Sequence, residues 1–320
     1  MKTIPWKPVC AAMLACALAG TATAEVARRA VQVQGHRGAK ASRPENTIPA
    51  FEFAIAQGVD ALELDMSVTK DNVIVISHDP VLHPPVCSGP QPKAIIHDLT
   101  LAEVKKWDCG ATPNHDAPKQ QLVPGTRMPT LDEVFDLASK GTFDFNIETK
   151  TVPKHVSRPE AEKLLKQFKL TPEMEKDVIE TITSIGPEVT PPPDEFARMV
   201  LEKIRKHHLE KRVILQSFDF RTLHAMNKIA PEVRLSALTS DQKRSFVDVA
   251  KEAGATIISP LFTNVTPEKV KEAHAAGLQV VAWTANRPDQ WKRLVEAGVD
   301  AIITDDPEGL SAWLRQNQQR

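Results

Sequence analysis

"LVEAGVDAIITD", residues 294 to 305, decides how the rest of the chain is read. It starts as the end of a helical pattern, meets a glycine, and runs into a short apolar strand that closes on polar residues. The same unit recurs as "AIAQGVDALELD" (54–65), "VAKEAGATIISP" (249–260) and "AHAAGLQVVAWT" (273–284). Gly58, Gly254, Gly277 and Gly298 fit the position just past a helix end, where a positive φ costs glycine little. The last three stand 23 and 21 residues apart, the length of one α/β step.

Working outward, "VQVQG" (31–35), "TFDFNIET" (142–149), "VILQSF" (213–218) and "VRLSAL" (233–238) complete eight candidate strands, most of them separated by helical patterns. Alternating β and α predicts a parallel sheet covered by helices. At this length the reading is an α/β fold of the (β/α)8 TIM barrel type, ahead of an open sheet.

One segment departs from that scheme. "ALELDMSV" (61–68) is followed by only "TKDN" before "VIVISHD" (73–79). Parallel neighbours need a crossover of a dozen or more residues, so these two runs pair antiparallel if they pair at all. A hairpin centred on Asp71-Asn72 sets Asp65 roughly opposite His78, on an arm folded back over the barrel mouth after strand 2. Two further stretches read as rim insertions. Residues 80–127 are proline-rich, and residues 151–196 carry a charged helical pattern and then "PEVTPPPDEF", whose three consecutive prolines forbid helix.

The N-terminus reads as an address. "MKTIPWKPVCAAMLACALAGTATA" has two lysines, a short apolar run and an Ala-Thr-Ala end, and that run is too short to span a bilayer. Residues 1–24 are expected to be a signal peptide cleaved after Ala24, with export to the periplasm or beyond. A lipoprotein processed at Cys16 is the alternative. Residues 25–320 would then form one embellished barrel domain. Losing Lys2 and Lys7 takes the formal charge from −1 to −3, which gives no electrostatic reason to expect nucleic acid or an anionic membrane as partner. Two cysteines remain, Cys87 and Cys109. In an oxidising compartment they are first read as a disulfide, worth roughly 3 kcal/mol in the chain-entropy model; two buried free thiols are the alternative.

Barrel enzymes work at the C-terminal ends of their strands. There this sequence has His36 and Arg37, Glu63 and Asp65, Glu148 and Lys150, Gln216, and Trp283, while His78 arrives on the arm. Glu63 and Asp65 are one residue apart, so on a strand both face the same way, here inward. Two adjacent inward carboxylates are costly unless a cation lies between them or one is protonated. Glu148 adds a third oxygen donor, and an all-carboxylate set suits Mg²⁺ or Ca²⁺ and not zinc. The competing reading is a structural network in which Lys150 and Arg37 neutralise the acids. Two imidazoles beside such a cluster can serve as general base and general acid, and Arg37 and Lys150 can donate to phosphate oxygens. Thr47 reads as a helix cap with Pro49 in the first turn. Glu45 and Asn46 stand between capping and a role behind Arg37 or near the metal. His207, His208, Asp305 and Asp306 are read as surface or loop residues.

Together "GHRGAKASRPENTIPAF", "GVDALELDMSVTKDNVIVISHDPVL", "HDLTLAEVKKWD", "MPTLDEVF", "FNIETK", "QSF" and "GVDAIITDDP" resemble the glycerophosphodiester phosphodiesterase family, in order along nearly the whole chain after residue 24. The resemblance implies a phospholipase C-like phosphodiesterase barrel and a divalent metal on Glu63, Asp65 and Glu148. It also implies catalysis by His36 and His78, phosphate contacts from Arg37 and Lys150, and an aromatic wall from Trp283. The expected activity is hydrolysis of small glycerophosphodiesters to glycerol 3-phosphate and an alcohol. The rivals are a phospholipase C- or D-like activity on intact lipids and a non-catalytic periplasmic binding protein on the same barrel. Neither nucleic acid nor stable membrane insertion is expected.

Overall fold

The computed structural model describes residues 30–151 and 190–319. The segment 1–24 and most of the second insertion, with its charged helical pattern, lie outside the described residues. Among those described, eight parallel strands close into a barrel. They are β1 (Gln32–Gly35), β2 (Ala61–Val68), β6 (Asp144–Thr149), β7 (Val213–Ser217), β8 (Arg234–Thr239), β9 (Ile257–Pro260), β10 (Gln279–Ala282) and β11 (Ala301–Thr304). The order is β1-β11-β10-β9-β8-β7-β6-β2, and β2 returns to β1. Helices cover the outside: α1 (Ile48–Ala56), α3 (Leu131–Phe135), α4 (Pro193–Lys206), α5 (Phe220–Ile229), α6 (Phe246–Ala253), α7 (Pro267–Ala275), α8 (Pro288–Ala297) and α9 (Pro307–Gln316).

Strand alternation divides each strand between two environments. Leu62, Leu64 and Met66 of β2 and Phe145 and Ile147 of β6 point outward. They bury against helix residues such as Phe51, Phe196, Val200 and Trp291 in the main core. The intervening residues point into the barrel. Ile214, Ile257, Val281, Ala301 and Ile303 pack together in its interior. Polar interior residues pair with one another: Asn146 Nδ2 donates to Gln34 Oε1 at 2.8 Å, and the Ser236 and Ser259 hydroxyls meet at 2.8 Å. The glycines of the repeat do what their place in it asks. Gly298 ends α8 at φ 88°, a left-handed conformation that L side chains rarely adopt.

The arm is antiparallel as expected, and its register lies one residue from the rough Asp65–His78 pairing. β3 (Ile74–Ile76) pairs with the end of β2 as Met66 with Ile76 and Val68 with Ile74, so Asp65 faces Ser77 and not His78. The Ser77 N–H donates to the Asp65 carbonyl at 2.9 Å. The turn holds three residues between the Thr69–Val73 pair, with Asn72 in the left-handed region at φ 59°. Asp71 fixes that turn by accepting from Thr69 Oγ1 at 2.6 Å and from the Leu101 N–H at 2.9 Å. His78 therefore lies one residue beyond the paired region.

The prolines at 191–193 also correct an expectation. Pro193 is the first residue of α4, because a first-turn position has no intrahelical use for an N–H. The first insertion builds a satellite core. Val75, Leu82, Cys87, Ile96, Val104, Trp107, Cys109 and Met128 are buried together. It includes β4 (Val81–Leu82) paired with β5 (Ala94–Ile95) and the short helix α2 (Leu101–Val104). Cys87 and Cys109 are joined by a disulfide.

Candidate active site

The strand β1 ends in a turn built for close approach. Gly38 adopts φ 86°, and a Cβ there would lie 2.8 Å from the Ala50 carbonyl carbon at the start of α1. Its N–H donates to the carbonyls of Gly35 at 3.1 Å and Glu63 at 3.2 Å. This turn presses Arg37 against β2, where the Arg37 N–H donates to Glu63 Oε2 at 3.0 Å. Arg37 itself holds φ 49°, an uncommon conformation for a residue with a side chain.

The nine residues expected at the mouth (His36, Arg37, Glu63, Asp65, His78, Glu148, Lys150, Gln216 and Trp283) line one open cleft of about 430 Å³. Phe218, Leu238, Thr284 and Ile303 complete its wall. Glu63, Asp65 and Glu148 each offer a carboxylate oxygen within 4.8 Å of the others, and all three are buried. The register of β2 with β6 accounts for this, since Asp65 and Glu148 are direct neighbours. Gln216, next to Glu148 on β7, donates from Nε2 to Glu63 Oε1 at 2.8 Å, while its own Oε1 is buried without a partner among the described residues.

The two fixed cations serve these acids. Lys150 Nζ lies 2.7 Å from Glu148 and 3.1 Å from Asp65. Arg37 Nε lies 3.4 Å from Asp65, and Arg37 Nη1 donates to Glu45 Oε1 at 2.6 Å. Glu45 thus stands behind Arg37, and Asn46 donates from Nδ2 to Asp65 Oδ2 at 2.9 Å. Thr47 caps α1, accepting from the Ala50 N–H.

The acids split in proton affinity. Burial and the neighbouring charge of Asp65 push Glu63 well above the ordinary glutamate range. Burial also lifts Glu148 to about 7, although Lys150 opposes it. Asp65 goes the other way: burial would raise it, but Lys150, His78, Arg37 and His36 together hold it well below the ordinary range. A site that keeps two of three carboxyls reluctant to ionise is one in which a divalent cation would be stabilising. Three hard oxygen donors and an unpartnered amide oxygen fit such an ion.

Each imidazole has a carboxylate at Nδ1. His36 Nδ1 lies 2.5 Å from Asp305 Oδ1, and His78 Nδ1 lies 2.7 Å from Asp79 Oδ1. Burial would raise Asp305, but the His36 imidazole brings it down to about 2. Burial, then Lys150 and Arg37, lower the affinity of His78 for a proton. The sequence pattern assigns Asp305 to a loop and gives Asp79 no role. Asp305 follows β11, whose Thr304 carbonyl accepts from the His36 N–H at 2.8 Å, so barrel closure brings the two together. Phe218, also unanticipated, stands edge-on to Trp283 with ring centroids 5.5 Å apart. Asp306 caps α9, and His207 is half-buried against Asp132 at 2.8 Å, away from the cleft.

Residues 36–309 match the model of the glycerophosphoryl diester phosphodiesterase family. A glycerophosphodiester phosphodiesterase from Caldanaerobacter subterraneus subsp. tengcongensis is 31% identical over 284 residues, covering 89% of this chain and 98% of the relative. Among solved structures, a candidate glycerophosphoryl diester phosphodiesterase from Silicibacter pomeroyi is 28% identical with a TM-score of 0.74, covering 91% of this chain and 95% of that one. An Oleispira antarctica phosphodiesterase, solved with its product sn-glycerol-3-phosphate, shares the fold at 21% identity and a TM-score of 0.68, covering 89% and 97%. The match spans the barrel from the first imidazole to the helix after the last strand, and the chain belongs to the glycerophosphoryl diester phosphodiesterase family of hydrolytic enzymes.

Proposed function

We propose that this enzyme hydrolyses sn-glycero-3-phosphodiesters to glycerol 3-phosphate and an alcohol, using a divalent cation and two histidines. The observation that carries the reading is the meeting of two carboxylate-backed imidazoles and a three-acid group in one cleft. A carboxylate at Nδ1 holds that nitrogen protonated and leaves Nε2 as the working atom. One imidazole takes the proton of the attacking hydroxyl at Nε2 as the new P–O bond forms. The other gives its Nε2 proton to the departing alkoxide as the old P–O bond breaks. Arg37 and Lys150 sit at the acid side of the cleft, where a phosphate's oxygens would meet their N–H groups. Glu63, Asp65 and Glu148 would hold Ca²⁺ or Mg²⁺, which supplies Lewis-acid polarisation of the phosphoryl group.

Intact lipids are the weaker substrate. Among the described residues Phe218 is the one large apolar side chain that is exposed, and no helix is long and apolar enough to cross a membrane. We further propose that residues 1–24 are a signal peptide cleaved after Ala24, that residues 25–320 act as one barrel domain, and that the enzyme works in the periplasm or outside the cell. The Cys87–Cys109 disulfide supports this, because such bonds persist in oxidising compartments. N-terminal sequencing of the exported protein tests the cleavage. Release of glycerol 3-phosphate from glycerophosphocholine, with and without chelator, tests the activity. Absence of product in the presence of Ca²⁺ or Mg²⁺, or full rate under chelation, would count against it.

A further inference from the structure

The two histidine–carboxylate pairs are built alike at the inner oxygen and differently at the outer one. Asp305 Oδ2 accepts from Asn286 Nδ2 at 2.7 Å, and the Asp305 N–H donates to Asn286 Oδ1 at 2.8 Å. A neutral amide therefore holds the carboxylate behind His36. Asp79 Oδ2 instead faces a third imidazole, with His83 Nε2 at 3.6 Å. His83 Nδ1 lies 2.7 Å from the Pro84 carbonyl oxygen. A carboxylate and a carbonyl only accept, so an acceptor faces each ring nitrogen of His83, as a hydrogen bond at Nδ1 and an ion-pair contact at Nε2, and the imidazolium alone presents an N–H to both.

The surroundings keep that ring in place. Leu82 is paired with Ala94 in the β4–β5 ladder, and the His83 carbonyl accepts from the Cys87 N–H at 3.0 Å, next to the disulfide. Asp79 also raises the His83 pKa above its ordinary value, assisted by the Pro84 carbonyl and the charge of Glu45. The Asp79 side chain is 44% exposed, and among the described residues Oδ2 has no further anchor besides this ring.

We propose that His83, as an imidazolium, is a positioning residue for the His78–Asp79 pair, in the place that Asn286 takes for the His36–Asp305 pair, so that only the former depends on pH at its outer partner. The inference rests on the two-histidine reading of the site. The charged groups facing His83 are Asp79 and Glu45; those facing His78 are Lys150, Arg37, Asp65, Asp79 and Glu45. When His83 loses its charge, the one proton it keeps stays at Nδ1 on the Pro84 carbonyl 2.7 Å away, so Nε2 faces Asp79 Oδ2 bare, the carboxylate is free to turn to solvent, and His78 loses its fixed orientation. Turnover then falls with rising pH, while substrate binding does not.

The test compares wild type, His83→Ala and His83→Gln, with His78→Ala as a control on the site itself. The His83→Ala substitution should lower kcat by about tenfold, the low end for losing an outer partner of a functional imidazole, and leave KM within about twofold. The His83→Gln variant, whose amide can donate at any pH, should retain more turnover than His83→Ala and lose the alkaline fall seen in wild type. Nitrogen-15 spectra should find the His83 ring doubly protonated at about pH 6, near the ordinary histidine range. The proposal is overturned if His83→Ala reproduces the wild-type kcat and pH profile, if His83→Gln keeps the alkaline fall, or if the ring is neutral where wild type is most active. Normal turnover in His78→Ala would instead remove the two-histidine reading on which this rests.

Discussion

His36 and Asp305 are 269 residues apart in sequence and 2.5 Å apart in space. One begins after the first strand of the barrel and the other after the last, and the pairing of β1 with β11 joins them. The contact gives His36 a fixed tautomer and orientation, and it makes Asp305 a member of the site.

Replacing Asp305 with Ala should therefore lower kcat by about ten- to a hundredfold, the range for outer partners of functional imidazoles. His36→Ala and His78→Ala should each cost at least about a hundredfold, as expected for a positioned acid or base. Steady-state kinetics on glycerophosphocholine, with circular dichroism to confirm the fold, checks all three. Wild-type turnover in any of them removes that residue from the chemistry.

The acid cluster is testable without turnover. Glu63→Gln and Glu148→Gln should each weaken binding of Ca²⁺ or Mg²⁺ by at least about tenfold in calorimetry, since each removes a charged oxygen donor. Both variants should fold, because Lys150 still meets Asp65 at 3.1 Å and the residue at 63 can still accept from the Arg37 N–H. Unchanged cation affinity in both would separate these acids from any metal.

The arm carries a third expectation. Inserting one glycine after Asp71 disturbs the contacts of Asp71 with Thr69 and Leu101 and shifts His78 relative to β2. Turnover should fall by about a hundredfold, since a displacement of about 1 Å can cost that much. Unfolding free energy should change by only about 1–2 kcal/mol, as for most single alterations. Equal losses of activity and stability would show that the arm is scaffold alone.

Acid stability depends on Asp132. Its exposure is 26%, and it accepts from Lys203 at 2.7 Å and from Lys206 and His207 at 2.8 Å. Burial would raise its pKa, but these donors bring it well below the ordinary 3.8. A depressed folded-state pKa contributes stability above the unfolded value of 3.8, and that contribution is lost as pH falls through the folded one. Asp132→Asn should cost about 1–2 kcal/mol at neutral pH, after allowance for partial exposure. The gap between wild type and variant should begin to close below about pH 4, near the ordinary aspartate range. Denaturant unfolding across that range checks it, and a gap that stays constant would contradict the assignment.

What could be read from the sequence was what local pattern determines. The helix–glycine–strand unit is local, so the barrel and the strand-end residues could be found from it, and Glu63 and Asp65 face one way by strand geometry alone. Asp305 could not be read that way, because its importance exists only once β11 lies beside β1. A rule that the last strand of a closed barrel borders the first would have found it. The arm's register depended on Asn72 taking a left-handed conformation and on Asp71 bonding to Leu101, a residue of the insertion. The helix beginning at Pro193 was obscured because proline's effect depends on whether it opens a helix or interrupts one.

The seam between β1 and β11 also sets an order of events during synthesis. A chain growing from its N-terminus has β1 early, yet Gln32 waits for Ala301 before that edge is covered. Until then β1 offers unpaired backbone groups to any passing strand, and His36 lacks its carboxylate. A chain stopped before residue 301, with neither a closed barrel nor the His36 carboxylate, would therefore lose more activity than Asp305→Ala, and it would be prone to stick to its neighbours. Long-range pairing of this kind is slow to form, so the appearance of activity during refolding should follow, and not precede, the burial of the final strand.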